Sequence, residues 1–187
     1  MDIIELSLAK AVGYNSGFVD GWAYDTEWLA TGGAVTRRYN PVATMIGQNV
    51  FAYNEALEEI YFPAVETVDA FSFLDCIALH SVNLPALVSV GVQAFRNCSA
   101  ITKLDFPCVT HIERIAFRGC STLVALILRA PTVCVLAAST TMMDTPIANG
   151  TGFVYVPDDL VEQYKTATNW ATYADQIKPI SALGVSE

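Results

Sequence analysis

Apolar positions in the middle of the chain recur in columns, every 22 positions: Ile46, Val68, Val90 and Ile112; Leu57, Leu79, Ile101 and Leu123; Ile60, Val82, Leu104 and Leu126. Phe62, Leu84, Phe106 and Leu128 form a further column, and Val65, Leu87 and Val109 another. Four prolines, Pro41, Pro63, Pro85 and Pro107, keep the same interval, as do Phe51, Phe73, Phe95 and Phe117 half a cycle away. Within one cycle an apolar residue stands at nearly every second or third place. That spacing predicts short strands joined by tight corners and excludes long helices. Self-similarity at this period marks a stack of supersecondary units, none of which buries its apolar face alone.

The segment Leu123-x-x-Leu126-x-Leu128 carries the leucine-rich-repeat signature, in which a strand lines one face of a solenoid. Proline follows that strand in the repeat. With no donor N–H and a fixed φ it ends pairing and turns the chain to the next side of the coil. Val109 with Ile112 supplies the opposite wall, and the phenylalanine fills the interior. Complete or nearly complete repeats span 46–67, 68–89, 90–111 and 112 to about 135. The expected organisation is an N-terminal leader and cap over 1–45, four repeats over 46–136, and an irregular repeat with a C-terminal cap over 137–187, in one continuous domain.

The stretches Ile-Gly-x-x-Val-Phe-x-x-Asn at 46–54 and Val-Gly-x-x-Ala-Phe-x-x-Cys at 90–98 resemble the bacterial BspA-like leucine-rich repeats, over roughly residues 40 to 136. Residues 153–180 are similar to the segment that often closes proteins of that family. The resemblance implies a right-handed leucine-rich-repeat solenoid, a β-rich member of the α/β class, and surface adhesion or protein binding without catalytic residues. On this reading short parallel strands form both walls, between an N-terminal cap and a C-terminal strand and helix. Asp69 and Glu113 depart from the pattern where glycine follows the aliphatic residue, and Arg129 and Ala130 are two extra residues before Pro131.

Outside the repeats, Ile4, Leu8, Ala11 and Val12 predict a short amphipathic helix over residues 1–12. Residues 13–40 interleave glycines with Tyr14, Phe18, Trp22, Tyr24 and Trp28. They read either as a cap over the open end of the core or as an exposed aromatic contact surface. The Ala, Ser, Thr, Met and Gly-rich stretch 137–152 is expected to break the repeat, with a tight turn at Asn149-Gly150. Phe153 to Val156 alternates as a strand. Pro157-Asp158 then opens a helix through Leu160, Val161 and Tyr164, with Asp158 or Asp159 as N-cap, and Trp170, Tyr173 and Ile177 dock this module on the last coil.

Composition narrows the function. A hydrophobic content of 53% supplies a continuous core over 187 residues. A net charge of -9 with only ten Lys and Arg argues against nucleic acid, because phosphate binding needs clustered cations. No apolar run approaches the ~18 residues that span a bilayer, and the start Met1-Asp2-Ile3-Ile4-Glu5 lacks the basic opening of a secretion signal. The opening Ile-Ile-Glu-Leu-Ser-Leu-Ala-Lys-Ala is similar to leaders of prophage tail-associated proteins. A cell-surface or phage-virion location is therefore expected.

Cys76, Cys98 and Cys120 share one column, with Asn54 in the same slot. Stacked parallel strands lie about 4.8 Å apart with parallel Cβ vectors, whereas a disulfide wants Cβ atoms about 3.8 Å apart and turned together. Buried thiols are expected, and Asn54 fits the slot by bonding the backbone at the corner. Cys108-x-x-His111 and Cys76-x-x-x-His80 offer two metal ligands each where zinc needs three or four, so neither metal nor cofactor is expected. Both histidines read as surface residues, and no Gly-x-Ser-x-Gly elbow is present, so no enzymatic activity is expected.

The outward places of the strand are Glu58, Glu59 and Tyr61; His80, Ser81 and Asn83; Thr102, Lys103 and Asp105; Val124, Ala125 and Ile127. This mixed patch suits a protein or glycan partner, and the expected function is a binding or adhesion module. The alternative is a scaffolding repeat docked into an assembly of phage-tail type through its N-terminal segment.

Overall fold

The computed structural model describes residues 37–39, 41 and 43–184. The helix expected over residues 1–12 lies outside them, as does segment 13–40 apart from Arg37–Tyr39. The described strands are β1 (Arg37–Tyr39), β2 (Met45–Ile46), β3 (Glu59–Tyr61), β4 (Thr67–Val68), β5 (Ser81–Asn83), β6 (Ser89–Val90), β7 (Lys103–Phe106), β8 (His111–Ile112), β9 (Ala125–Leu128), β10 (Val135–Leu136), β11 (Phe153–Val156) and β12 (Ile177–Pro179). One short α-helix, α1 (Val161–Thr166), stands between β11 and β12.

Every pairing among the described strands is parallel, and pairing joins equivalent places of successive coils. The chain is a solenoid of leucine-rich-repeat type. One wall is a continuous sheet in the order β10-β8-β6-β4-β2. The opposite wall, called here the strand wall, comprises β1-β3-β5 and β7-β9-β11-β12, with the ladder interrupted between β5 and β7. Val82, on β5 beside that interruption, is half-buried, whereas its column mates Ile60, Leu104 and Leu126 are fully enclosed.

A third side carries the turns. Its amides also bond along the stack: Phe51 N–H to Ser72 O at 2.8 Å, Phe73 to Ala94 at 2.8 Å, Phe95 to Ala116 at 2.9 Å and Phe117 to Thr141 at 3.0 Å. Left-handed backbone recurs on either side of each phenylalanine, at Asn49, Phe71, Gln93 and Ile115 and again at Tyr53, Asp75, Asn97 and Gly119. These kinks aim alternate peptide groups at the neighbouring coil, so that a corner without regular strands still satisfies its buried donors. Gly119 holds φ 76, and a Cβ there would come within 2.2 Å of Asn97 Oδ1.

The predicted columns are the core. Phe51, Phe73, Phe95 and Phe117 are completely buried and stack ring on ring at 5.2, 5.0 and 6.0 Å. Ile46, Val68, Val90 and Ile112 line the continuous sheet from inside, again fully buried. The two walls and the phenylalanine column cover one another's inner faces, while outer places of the strand wall stand exposed.

Residues 137–152 leave the interval of 22, yet the coils stay stacked through them: β10 pairs with β8, Thr141 and Met143 accept amides from Phe117 and Gly119, and β11 pairs with β9. A fifth coil thus extends the four predicted, with buried Met142 following Thr141 as each of the preceding phenylalanines follows its own amide acceptor. One expectation is corrected, at the helix start. Neither Asp158 nor Asp159 caps it; a 3-10 turn over Asp158–Leu160 leads into α1. Asp158 Oδ1 instead accepts the Ser181 N–H at 3.1 Å, and hydrogen bonding to Ser181 holds its carboxyl below the usual range.

The C-terminal module closes the far end of the core. Trp170, Tyr164, Tyr173 and Ile177 are buried, and Tyr164 meets Trp170 edge to face at 5.2 Å. Trp170 Nε1 donates to Cys134 O at 2.6 Å, Tyr164 Oη accepts the Cys134 N–H at 2.9 Å, and the Tyr173 hydroxyl donates to Ser139 O. Large rings thus cover the last coil while their polar tips satisfy its exposed peptide groups.

Candidate binding surface

The strand wall presents two outward columns set by the register. One runs Glu59, Ser81, and after the interruption Lys103, Ala125, Phe153; the other runs Tyr61, Asn83, then Asp105, Ile127, Tyr155. Alternation along each strand buries the residue between them and turns these two outward. His80, Ser81, Asn83, Thr102 and Lys103 are exposed, Tyr61 is 43% exposed, and Glu58, Glu59 and Asp105 are half-buried.

Ile127 departs from the expectation. It is fully buried although it occupies the outward column, and it does not belong to the main core cluster. Its column neighbours Asp105 and Tyr155 flank it at strand spacing. Arg129 reaches from the same coil to Asp105, Nε to Oδ1 at 2.7 Å and Nη2 to Oδ2 at 2.9 Å. This bidentate pair strengthens the guanidinium's hold on its proton. The contact surface therefore excludes Ile127, and exposed apolar area at that end comes from Val124.

Sequence reasoning missed the continuation of the face onto β11 and β12. Phe153 and Tyr155 meet edge to face at 6.2 Å, and Lys178 Nζ lies 5.5 Å from the Phe153 ring centre. The alternation of Phe153 to Val156 signals a strand. Its register against Ala125 to Ile127 is hidden in the sequence, because the step along the chain from Ala125 to Phe153 is longer than the step from Lys103 to Ala125.

The two histidines occupy different walls. His80, on the strand wall, has Nδ1 3.2 Å from Ala78 O and Nε2 3.9 Å from Glu59 Oε1. His111, on the continuous sheet, has Nε2 3.0 Å from Glu113 Oε1, and this hydrogen bond lowers the Glu113 pKa. Among the described residues no three His, Cys, Asp or Glu side chains gather as a metal-binding group. No described helix is long and apolar enough to cross a membrane.

The cysteine column is interior. Cys76 Sγ donates to Phe51 O at 3.0 Å, Cys98 to Phe73 O at 3.1 Å and Cys120 to Phe95 O at 3.0 Å, each thiol reaching into the preceding coil. All five cysteines are free, and Cys108 alone among them is exposed. Burial pushes Cys76, Cys120 and Cys134 up to about 12 and raises Cys98 as well. Asn54, in the same slot, accepts the Ala56 N–H at 3.3 Å.

Comparison with curated proteins finds no match to this chain. Residues 44–134 match the BspA type leucine rich repeat region, in six copies. That range covers β2 through the residue before β10, the stretch in which the columns keep their interval. These coils are BspA-type leucine-rich repeats.

Proposed function

We propose that the protein is a non-enzymatic binding module that engages a protein or glycan partner through its strand wall, on a bacterial surface or a phage particle. Membership in a leucine-rich-repeat family supports the general role, since such repeats serve protein interaction. The observation that carries the choice of face is the register. Tyr61, Ser81 and Asn83 stand exposed on the paired strands β3 and β5, and exposed Lys103 follows on β7 in the next coil, beyond the interruption. An aromatic flanked by adaptable polar groups on a rigid frame is a favourable contact set, because little side-chain freedom is lost on binding.

The test is a protein and glycan array probed with the full chain, followed by affinity measurement on the partner it finds. Tyr61→Ala combined with Lys103→Ala is expected to weaken that affinity by at least about tenfold, in line with loss of a central aromatic anchor. His111→Ala, on the opposite sheet, leaves it unchanged. Affinity insensitive to the strand-wall pair would contradict the reading and favour a scaffold docked through its N-terminal segment.

A further inference from the structure

Two columns of backbone acceptors run the length of the continuous sheet. The carbonyls of Thr44, Glu66, Val88 and Thr110 form one, each accepting an N–H of the following coil at 2.8–2.9 Å. Those of Ile46, Val68, Val90 and Ile112 form the other, at 2.7–2.9 Å. By register the next acceptors are Cys134 O and Leu136 O, at β10, where the sheet ends.

Side chains stand in for the missing coil. Trp170 Nε1 donates to Cys134 O at 2.6 Å, and Asn169 Nδ2 donates to Leu136 O at 2.7 Å. Both acceptor columns are thereby completed by two consecutive residues of the C-terminal module, with Asn169 in left-handed backbone at φ 64. An edge strand with open acceptors is a template for pairing with another chain.

The matching donors lie at the opposite edge of the same sheet. In the first coil Thr44 and Gly47 hold the places that Glu66 and Asp69 hold in the next, and among the described residues their N–H groups meet no acceptor. An acceptor edge at β10 and a donor edge at β2 fit one another head to tail, a contact that propagates rather than closes.

We propose that the β10 edge is a pairing site for the β2 edge of a second copy of this chain, and that Asn169 and Trp170 hold it shut. The contact is separate from the strand wall and does not depend on a partner binding there.

Sedimentation of the full chain, parent beside variant, tests it. Asn169→Gly with Trp170→Phe removes both donors while a residue suited to the left-handed backbone and an aromatic ring remain. The Cys134 thiol, buried in the last coil, reads whether the module has loosened: its labelling should quicken by about tenfold, with Cys76, Cys98 and Cys120 still protected. The variant should then form species that grow with protein concentration, while the parent keeps one size. Adding Thr44→Pro, which deletes a donor at the β2 edge, should restore the parent's size without slowing the labelling. Association that survives Thr44→Pro overturns the proposal, as does a variant that labels at Cys134 without associating. Cys134 as protected as in the parent overturns it too. Should the double variant not fold by circular dichroism, Trp170→Phe alone decides.

Discussion

Phe95→Ala is expected to lower the stability of the protein by on the order of 3–5 kcal/mol, the cost of removing a fully buried ring and leaving its cavity. Phe95 is completely enclosed, and its ring lies 5.0 Å from Phe73 and 6.0 Å from Phe117, in the middle of the phenylalanine column. Its backbone already bonds the next coil through Ala116 O at 2.9 Å and the Cys120 thiol at 3.0 Å, so the coils cannot collapse around the hole without breaking those bonds. Repeat stacks gain their stability from contacts between neighbours, and this side chain serves two such interfaces. Asn83→Ala, on the exposed strand wall, should change stability by no more than about 0.5 kcal/mol. Urea unfolding of both variants, read as midpoints at constant slope, gives the comparison. Equal midpoints would mean that inside and outside had been assigned wrongly.

Gly91→Ala is the second large effect. A Cβ at this position would lie 2.6 Å from the Asp69 carbonyl carbon, 2.8 Å from Ala70 N and 2.9 Å from Val68 O, all of them backbone. No side chain can swing aside to make room. Gly91 N–H also donates to Val68 O at 2.7 Å, in line with the pairing of Val68 with Val90. One methyl group therefore forces apart two coils held together by that bond. A destabilisation of about 1–3 kcal/mol, the usual range for overpacking, is expected at the upper end because the obstructing atoms are main chain. Thermal unfolding followed by circular dichroism checks it, and a midpoint unchanged from the parent would show that the coils are spaced more loosely than described.

The columns make the fold legible in the sequence. An apolar residue recurring at one fixed interval has one simple physical explanation, which is that its copies share a dry interior, and Leu57, Leu79, Ile101 and Leu123 are all completely buried. Legibility fails where the interval drifts. Leu136 pairs with Ile112, and Val154 with Leu126, across longer steps of chain than the coils before them, so the fifth coil loses its rhythm although its residues still occupy the columns. Met142 occupies the phenylalanine column without resembling it, as an unbranched thioether fills an irregular gap. The strand face is legible as a set of outward places, because alternation follows from strand geometry alone. Ile127 escapes because it is buried although it stands in the outward column beside Asp105 and Tyr155, and periodicity alone does not encode that burial.

Thiol labelling of the native protein tests the shared interior most directly, because one column places its cysteines inside and another residue of the same type outside. At mildly alkaline pH, Cys108 should react rapidly, while Cys76, Cys98, Cys120 and Cys134, enclosed and with their pKa values raised by burial, should react only after unfolding in denaturant. One fast thiol out of five is the predicted result. Labelling of Cys76, Cys98 and Cys120 in native conditions as fast as Cys108 would contradict a stack of coils around a common core.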